Sequence, residues 1–205
     1  MLEKLNIGSR IKKSKPEPVK GALNAHWKIT LLDKHMVPYR RIQVPAQSLV
    51  IAAADLMYQT MADDTLNIND TGSVARSVGD LRYFWRAEAA ATDDTMGIIL
   101  GTDNTATTLT DDAIGTLIDH GVAAGDLLYG SCETGAPILE SGPAAVYAVL
   151  SRLFVNRSGG NITVEEVALY VLYATFDFMI ERTVINFTIN DTDAALVEYH
   201  IGATA

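Results

Sequence analysis

Carboxylates are the side chains whose spacing most invites chemistry in this chain. They occur as Asp63-Asp64, Asp93-Asp94, Asp111-Asp112 and Asp191-Thr192-Asp193. A calcium ion needs about six to eight oxygens converging on one point, usually from a loop that alternates Asp and Asn, turns on a glycine and closes on a glutamate. Asp103-Asn104-Thr105-Ala106-Thr107 starts in that manner but has neither the glycine nor the glutamate. Turn-forming residues on an acidic surface explain the pairs equally well. Glu165-Glu166 could suggest the carboxylate pair of a glycosidase. Neighbours on a regular strand point to opposite faces. One glutamate is therefore expected in solvent and the other satisfied near a bulge.

The other reactive groups are scattered. His26, His35, His120 and His200 show no zinc-ligand spacing with one another or with Cys132. No Gly-x-Ser-x-Gly occurs, so a serine nucleophile elbow is not expected. Gly121, Gly125, Gly130 and Gly135 follow neither dinucleotide-binding nor P-loop spacing. The expectation is a protein that is not an enzyme, with no catalytic residues, metal site, cofactor or small-molecule substrate.

The elements around these residues are strands. A run over 146–155, rich in β-branched and aromatic residues, is followed by Asn156-Arg157-Ser158-Gly159-Gly160-Asn161 and a second such run over 162–171. This pattern predicts a β-hairpin turning on Ser158, Gly159, Gly160 and Asn161, with positive φ at one glycine or both. Residues 27–32 and 39–44 predict an earlier strand pair, with Trp27, Ile29 and Leu31 on one face and Pro45 ending it. Ser48 stands where a helix N-cap would. Beyond it Leu49, Ala52, Ala53, Leu56, Met57 and Thr60 form an apolar stripe at helical spacing. Residues 62–80 read as turns, and 110–120 as a short helix or irregular chain. Further strand-like runs occupy 81–86, 96–100, 127–129, 176–180, 184–189 and 196–201. The fold expected is mainly β: an antiparallel β-sandwich, jelly-roll-like, with one packed α-helix near 48–61. The sandwich would span 22–205, preceded by an extended N-terminal arm over 1–21, where Pro16 and Pro18 oppose helix.

Composition sets the outer limits. With 48% hydrophobic and 20% charged residues the chain can pack a core and is not of disordered type. A single cysteine excludes an internal disulfide framework and suits a reducing cytoplasm. The longest apolar runs fall far short of a membrane span, and the opening six residues carry no apolar core of a secretory signal. The net charge of −9 hides a division. Residues 1–41 hold ten Lys/Arg against three acids, or +7; this leaves six against 22, or −16, for the remainder. So acidic a body repels phosphate, which makes nucleic acid an unexpected partner. The basic arm, with Lys4, Arg10, Lys12, Lys13, Lys15 and Lys20, reads either as a solvated, partly disordered terminus or as an arm that orders on an acidic neighbour, with nucleic acid as a third reading.

The stretch 154–170, FVNRSGGNITVEEVALY, resembles a segment of tailed-bacteriophage virion proteins: a strand ending in Asn, a Ser-Gly-Gly turn, then Ile-Thr-Val-x-Glu-(Val/Ile)-(Gly/Ala)-Leu-Tyr. Gly97-Ile98-Ile99-Leu100-Gly101, Asp126-Leu127-Leu128-Tyr129-Gly130 and the helix following Val44-Pro45-Ala46-Gln47-Ser48 are similar to other phrases of that family. The resemblance covers about 44–175 and departs over 184–201, where threonine-rich strands would be expected. It implies a structural subunit of the virion, made in the host bacterial cytoplasm. Its place would be the neck, collar, tail or fibre base, and its partners copies of itself and neighbouring virion proteins. The alternatives are a capsid decoration protein or a module binding carbohydrate or a host surface. The latter would show aromatics in loops, whereas Trp27, Phe84, Trp85, Phe154 and Phe176 lie in strand-like runs.

Overall fold

Strict alternation makes the first described stretch a strand. In β1 (Leu23–Leu32) Trp27, Ile29 and Leu31 are buried, and the strand pairs antiparallel with β2 (Pro38–Pro45). The structure is a computed structural model and describes residues 23–62, 65–79, 85–141 and 144–204. The basic arm over 1–21, with Lys4, Arg10, Lys12, Lys13, Lys15 and Lys20, lies outside the described residues.

Two antiparallel sheets face each other. One has the order β2, β1, β12 (Ala194–Thr204), β9 (Ala144–Val155); β7 (Leu128–Thr134) and β8 (Ile138–Ser141) pair along the far side of β9. The opposite sheet runs β3 (Ser48–Leu49), β11 (Phe176–Ile189), β10 (Ile162–Tyr173), β6 (Gly97–Gly101). Their inner faces share one core, with Trp27, Leu150, Phe154, Val197 and Tyr199 from the first sheet and Ile98, Leu100, Val164, Val167 and Phe178 from the second. Burying such side chains is the main driving force for stacking the sheets.

The one α-helix among the described residues, α1 (Ile51–Ala62), is rich in strong helix formers and lies against β11 and β4 (Leu66–Asn69). It buries Ala52, Ala53, Leu56 and Gln59. Two details of the expected helix change. Ser48 is no N-cap: it is buried in strand β3 opposite Arg182, and the helix opens at Ile51, with the Val50 carbonyl accepting the Ala53 N–H. Leu49 and Met57 face outward rather than joining the buried stripe.

The stretch read as turns over 62–80 contains a second, small hairpin, β4 with β5 (Ala75–Val78). Asp70 organises its turn by accepting the N–H groups of Gly72 and Val74, and Thr71 N–H reaches the Asp177 carbonyl at the start of β11. Residues 110–120 are irregular. The runs 176–180 and 184–189 are one strand, β11, which absorbs a register shift against β10. Of the expected strand at 81–86, residues 81–84 lie outside the described residues, and Arg86 makes an isolated bridge to Leu172.

The expected hairpin at Ser158–Asn161 is not a hairpin. β9 belongs to one sheet and β10 to the other, so 156–161 crosses between sheets. The true two-residue hairpin joins β10 to β11 through Ala174-Thr175, where Ala174 has φ 58° although it is not glycine.

Candidate assembly surface

Several charged side chains are buried inside the sandwich, Arg152, Glu166, Glu181 and Arg182 among them. Register against β11 shifts between Val164 and Glu166, and Glu166 is fully buried while Glu165 stays half-exposed. This is the arrangement expected for that pair. Glu166 Oε2 accepts from Arg182 Nε at 2.7 Å and from Gly115 N–H at 3.1 Å. Its Oε1 accepts from the N–H groups of Thr116 at 3.0 Å and Asp103 at 3.2 Å. Four donors fill the roughly four acceptor positions of a carboxylate.

Arg182 also reaches Asp111 Oδ2 at 2.9 Å and Asp103 Oδ2 at 3.5 Å. Burial works against its charge, but the carboxylates of Glu166 and Asp111 outweigh that and hold its pKa above the usual value. The Thr105 hydroxyl and backbone bond to Asp103 and lower that group's pKa. Burial opposes ionisation of Asp111, yet bonds from Thr108 and Arg182 leave its pKa lowered. Tyr170 completes the fastening by accepting the Ile114 N–H at 2.7 Å. Gly101 and Gly115 give the loop room, since a Cβ on either would collide with Glu166 or Asp103. The cluster therefore pins the irregular chain over 102–117 to β10 and β11.

Arg152, on β9, is buried without any carboxylate partner among the described residues. Its Nε donates to Gly130 O at 2.9 Å, Nη1 to Met96 O at 2.9 Å and Ile98 O at 3.1 Å, and Nη2 to the carbonyls of Ala90 and Asp93. A guanidinium has five N–H donors, and all find carbonyls here. It also sits 4.6 Å over the Tyr129 ring. Burial lowers its pKa. Sequence reading passed over both arginines. The signal available was a lone arginine inside a strand-like run: Arg152 in the otherwise nearly apolar AAVYAVLSRLFV, and Arg182 beside Glu181 in FDFMIERTVINFTI.

A further buried carboxyl group, that of Glu181, lies between the sheets. Glu181 Oε2 accepts the Trp27 indole N–H at 2.7 Å, while Oε1 takes the Gln47 N–H at 3.3 Å and the Thr183 hydroxyl. Burial pushes its pKa up to about 7, more than these bonds pull it down. Among the described residues no three His, Cys, Asp or Glu side chains gather as metal ligands. Nor is any helix there long and apolar enough to cross a membrane.

No protein-family model, curated protein or solved structure matches this chain. Its surface has to speak for itself. Ser158, Gly159, Gly160 and Asn161 are brought together, but as a seam against the other sheet crossing at 190–193. Asn156 Nδ2 donates to Ile189 O and Gly160 O, Gly159 N–H to Asp191 Oδ1, and Asp191 N–H to Asn161 Oδ1. Gly159 has φ 80°, as a glycine turn position should; Gly160 has no positive φ. The seam is satisfied internally and offers little to a partner.

The outward side of α1 is different. The helix carries one charged residue, Asp55, in its twelve positions. Ile51 and Tyr58, two turns apart, are each 49% exposed, flanked by Leu49 and Met57. Leu109 is 62% exposed and stands beside Ile51, whose N–H bonds the Leu109 carbonyl. An exposed helix face normally carries charge. Large contiguous apolar patches mark contact surfaces.

Proposed function

We propose that this protein is a structural subunit of a bacteriophage particle that assembles with copies of itself. The observation that carries the reading is the apolar outward face of α1, formed by Ile51, Met57, Tyr58, Leu49 and Leu109. Its occupant is a second copy of the chain. Charge complementarity supports self-contact, since residues 1–41 sum to +7 and the rest to −16. The basic arm of one copy can lie on the acidic body of the next, and such a head-to-tail contact closes into a ring when the rotation allows. The virion setting rests on the resemblance over 44–175. The pairing of β1 with β12 in one sheet, and of β3 with β11 in the other, supports a jelly-roll-like winding.

Sedimentation velocity tests this on the whole chain, on Ile51→Asp/Tyr58→Glu and on a chain lacking residues 1–20. The intact chain should sediment as a defined oligomer weakened by salt. The helix-face variant and the truncation should keep the circular dichroism of the parent and sediment as smaller species. An intact chain that is monomeric at every concentration overturns the reading.

A further inference from the structure

Beside residues 85–88 the two sheets part, leaving an open cleft of about 420 Å³. Leu150, Tyr199 and Ile201 line it from the first sheet, and Leu169, Val171 and Ile180 from the second. Trp85 was expected to pack in a strand core; it is half-buried and lines this cleft instead. The apolar surface continues beyond the cleft. β9 pairs with β12 in unbroken register, so Ala148 and Val146 share the inward face of Leu150, with Ile201 and Ala203 beside them on β12. The inward face of the first sheet is uncovered there: Val146 is 47% exposed, and Ala148 and Ala203 are exposed. Inward-facing residues of a sandwich are ordinarily covered by the other sheet. An uncovered apolar strip that runs into an apolar cleft is a surface for something to lie on.

The N-terminal end of β1 borders this strip. Leu23 pairs with Ala203, and Ala203 with Val146. Leu150 is four residues along β9 from Val146, so the cleft lies about 16 Å from the point where the arm leaves β1. Residues 1–22 precede Leu23. Among them Leu5, Ile7 and Ile11 fall on one side of an extended chain, with Asn6, Gly8 and Arg10 on the other. The eleven residues 12–22 can span up to about 36 Å, roughly twice the distance a return to the cleft requires.

We propose that the chain's own N-terminal stretch, residues 5–11, docks here, with Leu5 and Ile7 in the cleft and Ile11 on the strip beside it. A segment tethered so near its site binds at an effective concentration of about a millimolar, which favours the chain's own arm over that of a second copy. The basic residues Lys12, Lys13, Lys15 and Lys20 fall in the connecting stretch, outside the apolar cleft. They are left to the acidic body of the next copy, so docking within one copy stands or falls separately from assembly.

A nitroxide attached to Asn6→Cys in the full chain tests this by nuclear magnetic resonance, the native Cys132 being buried. The methyl signals of Val146, Leu150 and Ile201 and the indole N–H signal of Trp85 should lose intensity. Those of Met36 and Val37, at the other end of β1, should not. The chain has two tryptophans, so Trp85→Phe assigns the indole signal. Adding Leu5→Asp/Ile7→Asp to the nitroxide-bearing chain should restore the lost intensity and leave the circular dichroism unchanged. When the nitroxide is carried instead by an isotopically silent copy mixed with the observed chain, the signals should stay intact. Undiminished signals around the cleft in the folded, nitroxide-bearing chain overturn the docking site. Loss that persists in Leu5→Asp/Ile7→Asp overturns the role of those side chains. Loss that appears only in the mixture assigns the cleft to another copy's arm and overturns docking within one copy.

Discussion

Arg152 and Arg182 lie in opposite sheets and do the same mechanical task by opposite chemistry. Each is buried in a strand and fastens irregular chain to it. Arg152 holds the stretch around 90–98 through backbone carbonyls alone, whereas Arg182 holds 102–117 through three carboxylates. A carbonyl does not titrate and cannot leave its strand. A carboxylate adds Coulomb energy but ties the fastening to pH, and makes each partner costly to strand alone. The first clamp should therefore be steady, and the second strong but conditional.

The largest effect expected is from Arg182→Met. Glu166 would be left at zero exposure without its cation, a loss of about 3–5 kcal/mol in urea denaturation. Adding Glu166→Gln should recover part of this, because the charge stranded by the first change is then gone. A double variant less stable than Arg182→Met would show that Glu166 is not held by charge.

Glu181 supplies a third case, a buried acid with hydrogen bonds but no cation at its oxygens among the described residues. Its folded pKa of about 7 lies above the ordinary 4.5. A raised acid pKa means the folded state holds its proton longer. The stabilisation is complete below pH 4.5 and fades as pH rises through 7, by at most about 3 kcal/mol. Stability measured from pH 5 to 8 should fall in the parent chain and stay nearly level in Glu181→Gln. Equal slopes would remove Glu181 from this account.

Arg152→Met should cost about 2 kcal/mol, mainly from the buried carbonyls of Met96 and Ile98 left without donors. Acid separates the two clamps more finely. Asp103 and Asp111 have lowered pKa values, so their contribution is present above the ordinary 3.8 and lost as pH falls through the folded values. In hydrogen exchange below pH 3.8 the amides of 114–116 should open before those of 96–98. The reverse order would break the comparison.

Much of the sandwich was legible because period-2 patterning is local. Trp27, Ile29 and Leu31 point inward as their spacing demands, and Glu165-Glu166 divide as adjacent strand residues near a bulge should. What the pattern does not encode is which sheet a strand joins. Ser158-Gly159-Gly160-Asn161 would suit a hairpin or a crossing equally well; the choice is made by Asn156 and Asp191, far apart in sequence and joined only in space. The true hairpin at Ala174-Thr175 carries no glycine signal. Likewise Asp103, Asp111, Glu166 and Arg182 are separated by long intervals. Asp103 and Asp111 were weighed only as loop acids, because sequence cannot show the cation they share.

On the assembly reading proposed above, copies of the chain meet at the outward face of α1. Hydrogen exchange of the full chain at low and high protein concentration tests this most directly. Peptides covering 49–58 and 109 should become more protected as concentration rises, while those covering 156–161 stay unchanged. Protection that is independent of concentration over 49–58, in a sample shown to contain oligomers, would contradict the account.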